Sequence, residues 1–64
     1  MIVKPGDKVK CVDNETLETT LTEGQIYTVE SAFIDFGYLL LTLTGVKSPE
    51  KAKGFYAHRF QHAK

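Results

Sequence analysis

A chain of 64 residues with one cysteine and zero net charge has room for one domain around one small core. A domain of this size buries only about 60% of the surface its unfolded chain exposes. Cys11 alone excludes an internal disulfide, no Cys/His grouping has zinc spacing, and the longest apolar run, Leu39–Leu41, is far too short to span a membrane. The lone thiol and the lack of a leader pattern lead us to expect a soluble, cytoplasmic domain without a membrane partner.

Met1 to Lys4 is an apolar lead-in, and Pro5-Gly6-Asp7 forms a turn. Lys8 to Val12 alternates, with Val9 and Cys11 on one face and Lys8 and Lys10 on the other, which predicts a half-buried strand. Asp13 to Glu23 is polar and reads as a long loop pinned by Leu17 and Leu21, its threonines arguing against a helix over Thr16–Leu21. Glu23-Gly24 bends the chain into a second strand, Gln25 to Phe33, with Tyr27, Val29, Ser31 and Phe33 on one face. Tyr27 and Val29 are expected in the core.

Ile34 to Gly37 connects to a third strand, Tyr38 to Thr44, with Leu39, Leu41 and Leu43 in phase. Residues 45–53 are a basic excursion in which Ser48-Pro49-Glu50 can begin a single helical turn. Gly54 to Ala57 is a fourth strand, His58-Arg59-Phe60 a 3₁₀ turn, and Gln61 to Lys64 a fifth short strand. Strands at this spacing, without a long helix, predict a small all-β barrel.

Charge is segregated along the chain. Residues 1–13 carry +1 (Lys4, Lys8 and Lys10 against Asp7 and Asp13). Residues 14–44 carry −5 (Glu15, Glu18, Glu23, Glu30 and Asp35, with no Lys or Arg). Residues 45–64 carry +4 (Lys47, Lys51, Lys53, Arg59 and Lys64 against Glu50). Such segregation either steers a partner or provides complementary packing inside the domain.

The order of these motifs resembles an SH3-like barrel: a strand, a long acidic loop, Leu21 and Gly24 leading into Tyr27 and Val29, a hairpin, then Gly54-Phe55-Tyr56-Ala57-His58-Arg59-Phe60. The resemblance spans roughly Gly6 to Gln61 and implies a five-stranded SH3-like barrel with a short 3₁₀ turn near the C-terminus. Cys11-Val12-Asp13, Leu21 to Val29 and Phe55 to Phe60 are also similar to small bacteriophage-encoded proteins, mostly of unassigned function. That likeness implies an accessory or early protein that binds and modulates a host protein in the host cytoplasm. Peptide-binding SH3 domains build their polyproline groove from a tryptophan and tyrosines. This chain has no tryptophan and reads Lys-Val-Lys-Cys-Val in its first strand, so that mode is rejected.

Two surfaces are candidate sites. Phe33, Ile34, Asp35, Phe36 and Tyr38 cluster at the hairpin, where the small core cannot take every aromatic, and would suit a protein interface. The plainer account is that both faces of the hairpin are covered by the rest of the barrel. Lys47, Lys51, Lys53, Tyr56, His58 and Arg59 form the alternative, with cations beside an aromatic as in single-stranded nucleic acid binding. The zero net charge argues against it.

No catalytic residue, metal ligand or cofactor is assigned. Cys11 reads as a core thiol, and His58 and His62 lack further ligands. Asp7, Asp13 and Glu15 read as solvated turn carboxylates, in a domain expected to lack volume for a ~300 Å³ substrate pocket. A binding module rather than an enzyme is therefore expected, with homodimerisation through exposed strand edges also open.

Overall fold

In the computed structural model, which describes residues 2–15, 20–48 and 54–63, the chain is all-β. Five antiparallel strands form one open sheet, β1 (Lys8–Cys11), β2 (Ile26–Asp35), β3 (Tyr38–Leu43), β4 (Phe55–Tyr56) and β5 (Phe60–His62), with a 3₁₀ turn at Ala57–Arg59. Their spatial order is β4-β3-β2-β1-β5. The expected strands are thus present, each end within two residues of its expected position. The 3₁₀ turn begins one residue earlier than expected because Phe60 already pairs with Cys11 in the β1–β5 ladder.

β2 serves two neighbours. Its first residues, Ile26–Thr28, face β1, and Val29–Asp35 face β3. Between Val29 and Ser31 the register shifts, leaving Glu30 as the extra residue of a bulge. Side chains alternate with a strict period of two, so one inserted residue sends everything after it to the opposite face.

The expectation that Phe33 shares a face with Tyr27 and Val29 is corrected for that reason. Ala32, opposite Leu41, packs on the core instead, while Phe33 stands opposite Leu40 on the outer side. β2 also runs two residues further than the sequence suggests. The connection shrinks to Phe36-Gly37 once Asp35 pairs with Tyr38.

The core is formed by Val9 and Cys11, Val29, Leu41 and Leu43, Phe55, Ala57 and Phe60, with Leu21 reaching in from the loop. Leu39, Leu41 and Leu43 face it in phase, as their spacing requires. Phe60 sits between two rings, edge-on to Tyr27 at 6.4 Å and to Phe55 at 6.3 Å. Tyr27 is half-buried because its hydroxyl reaches outward and accepts a 2.8 Å bond from the Thr22 amide. Gly24 takes φ +88°, the left-handed conformation that lets the loop turn into β2.

The loop ends are tied down by polar contacts. Val12 and Asp13 donate their amides to the Arg59 carbonyl at 2.7 and 3.2 Å, and Asn14 bonds the Leu21 carbonyl at 3.0 Å. Leu17 and most of the Ser48–Glu50 turn fall outside the described residues.

Gly54 is required by contact rather than by torsion. A Cβ there would lie 2.7 Å from the Leu41 carbonyl oxygen, so only glycine lets β4 close against β3.

Leu41→Ala and Leu21→Ala should each cost about 2–5 kcal/mol in urea unfolding, because both side chains are fully buried. Ile34→Ala, at an exposed position, should change stability by about 0.5 kcal/mol or less. Equal losses at Leu41 and Ile34 would contradict the strand phase described here.

Candidate functional site

The β2–β3 hairpin carries the largest exposed apolar side chains of the sheet. Phe36 is 94% exposed, Ile34 68% and Tyr38 60%, while Phe33 and Asp35 are half-buried. These five residues do not form one surface. Register places Phe33, Asp35 and Tyr38 on the outer face, Ile34 on the inner face beyond the end of the core, and Phe36 at the tip.

Phe36 and Gly37 have φ +50° and +81°, the positive pair that defines a type I′ two-residue hairpin turn. Asparagine or glycine ordinarily occupies the first of these positions. A bulky aromatic there is strained by roughly 1 kcal/mol. Phe36 is the one non-glycine with positive φ among the described residues, and its ring is almost wholly in water. Folding therefore gains nothing evident from it.

The outer face is itself apolar. Leu40 is buried although it lies outside the core cluster, flanked in register by Phe33 on β2 and Tyr56 on β4. Tyr38 meets Tyr56 edge-on at 5.5 Å, and the His58 ring stacks on Tyr56 at 5.6 Å with an 18° interplanar angle. Next to this aromatic row runs an open groove of about 380 Å³, lined by Gly37, Tyr38, Leu39, Tyr56, Ala57, His58 and Phe60.

The groove lies open along the surface and is not an enclosed substrate pocket. It exists because Ala57 leaves the sheet for the 3₁₀ turn while β3 continues to Tyr38. The tertiary structure thus joins Tyr38 from one candidate surface to Tyr56 and His58 from the other. Sequence reasoning missed Leu40 and the merging of the two surfaces, because neither the bulge nor the β3–β4 register has a local signature.

The remaining candidate cations behave differently. The Arg59 side chain is only 15% exposed and points at the loop, donating to the Glu15 carbonyl at 2.9 Å with the Asp13 carboxylate at 3.7 Å. Lys47 is exposed beyond the far end of β3, and Lys51 and Lys53 lie outside the described residues. Arg59 is thus committed to holding the acidic loop and is not in the groove lining.

His62 bonds the Ile2 carbonyl, and His58 belongs to the aromatic row. Among the described residues no three His, Cys, Asp or Glu side chains converge as a metal site. Cys11 is fully buried. Its removal from water is the largest influence pushing the thiol above its ordinary value, and it outweighs the opposing backbone hydrogen bond from Asp13.

Comparison with protein-family models, with curated proteins and with solved structures finds no match to this chain.

Two outcomes follow from this geometry. Phe36→Asn, which supplies the residue a type I′ turn prefers, should raise stability by about 1 kcal/mol in urea unfolding. Cys11 should resist alkylation in the native protein at pH 8 and react once the chain is unfolded. The fold keeps its thiol protonated to higher pH than the unfolded chain does. Its stabilising contribution is therefore complete below the unfolded thiol's pKa of about 8.5 and is lost as pH rises through the folded value.

Proposed function

We propose that this protein is a non-catalytic binding module that docks a partner protein through the tip and outer face of the β2–β3 hairpin, extended by Tyr56. The observation that carries the reading is Phe36, a strained ring 94% exposed at a turn where a small polar residue would be more stable. Conformational strain that persists without a folding benefit concentrates at functional positions. Tyrosine and phenylalanine in a contiguous exposed set are the side chains from which interface centres are built.

An SH3-like barrel is the architecture we assign within the all-β class. Support comes from the strand order β4-β3-β2-β1-β5, from β2 shared between two halves of the sheet, and from the 3₁₀ turn linking β4 to β5. The resemblance to small phage proteins makes a bacterial host protein the partner class proposed here.

Nucleic acid is the rival partner, favoured by the stacked Tyr56–His58 pair and by exposed Lys47. It is weakened by the engagement of Arg59 with the acidic loop.

Affinity capture from bacterial lysate, run beside a salt-titrated DNA and RNA shift assay, separates the two. The expected result is a discrete protein partner whose retention is lost in both Phe36→Asn and Tyr38→Ser while both variants stay folded. Salt-sensitive nucleic acid binding that is abolished by Lys51→Glu with Lys53→Glu, and untouched by the hairpin variants, would displace this reading.

A further inference from the structure

The outer face of β2, β3 and β4 is built in rows. Ser31 and Thr42 form the first, their hydroxyls bonded at 2.6 Å. Phe33, Leu40 and Tyr56 form the second, one residue from each strand. Asp35 and Tyr38 form the third, and beyond Tyr38, on the β4 side, stands the His58 ring, stacked on Tyr56 at 5.6 Å. A carboxylate thus flanks β3 on one side and an imidazole on the other, just as Phe33 and Tyr56 flank it one row away.

A two-fold axis along β3 exchanges those flanks and keeps every row at its own level. Two copies set face to face about it would place Leu40 on Leu40 and Tyr38 on Tyr38. Phe33 of each would lie over Tyr56 of the other, and Asp35 of each over His58 of the other. An acceptor would meet an N–H donor at both ends of the third row. An axis across the strands would instead lay β2 on β2, and β2 carries Glu30 and Asp35 with no Lys, Arg or His. Among the described residues the one ion pair is Arg59–Asp13, so neither Asp35 nor His58 has an ionic partner there.

We propose that a second copy of this chain covers the outer face in the free protein, in an isologous dimer about the axis along β3. The same rotation carries the hairpin tip to the side of β3 on which the groove opens. Phe36 is absent from the lining of its own groove. Its ring, 94% exposed in one copy, is given the aromatic-walled groove of the other, of about 380 Å³. Three strands make a narrow face at the low end of interface sizes, so the dimer forms at submillimolar concentration and yields to a tighter partner. The docking partner proposed above displaces the second copy, because both use this face.

Sedimentation equilibrium of the purified full-length protein tests this, with folding of each variant checked by its amide spectrum. Expected is a monomer–dimer equilibrium for the native chain. Asp35→Arg and His58→Glu should each weaken dimerisation by roughly tenfold, since each puts like charges together at both ends of the third row. Mixing the two variants in equal amounts should restore it. In the mixed dimer the introduced guanidinium faces the introduced carboxylate, and the native Asp35 of one copy faces the native His58 of the other.

A protein that stays monomeric up to millimolar concentration overturns the proposal. So does a dimer that neither variant weakens, or one that mixing fails to restore. Capture of a Phe36-dependent protein partner by a strictly monomeric chain leaves the docking reading standing and removes the dimer. A dimer that passes the mixing test in a protein capturing nothing from lysate does the reverse.

Discussion

Val29 holds the two halves of this sheet together. Its amide donates to the Asp7 carbonyl and its carbonyl accepts from the Gly6 amide, both at 2.8 Å, while its side chain is buried and its register partner is Leu43. The bulge that follows lets β2 bend, so the part paired with β1 and the part paired with β3 can both turn apolar side chains to one core. Without that inserted residue the second half of β2 would send Phe33 inward and Ala32 outward. A phenylalanine cannot take the place of an alanine opposite Leu41 without displacing the packing around it.

The outer surface of the hairpin follows from the same event. Phe33, Leu40 and Tyr56 end up in one row across three strands, with Tyr38 beside them. A domain of 64 residues has one small core, so apolar side chains placed on the outer face remain partly in water. Excess apolar surface of this kind is a liability unless something uses it. The short β4 and the early departure of Ala57 into the 3₁₀ turn open the groove next to it.

The charge segregation of the chain divides into two roles. Arg59 faces the acidic loop and bonds its carbonyls, with Asp13 close by, which is complementary packing within the domain. Asp35 has no such described counterpart and stands on the outer face of β2 opposite Tyr38. One acidic segment thus contributes both to internal structure and to an exposed surface. Listing charges in chain order could not separate the two, because each role depends on which strand a residue faces.

The alternation of Val9 with Cys11 and of Leu39 with Leu41 and Leu43, and the turn at Glu23-Gly24, made the strands and most of the core legible in the sequence. These are local properties: side-chain period along a strand and torsional freedom at a glycine. Phe36 at the hairpin was also legible as a surplus aromatic, since a core this small cannot absorb it. What only the tertiary structure decided was the face to which each residue after Glu30 belongs, the commitment of Arg59 to the acidic loop, and the meeting of Tyr38 with Tyr56. Those outcomes depend on register between strands distant in sequence, which is fixed by backbone pairing and packing across the sheet and by no local pattern of residues.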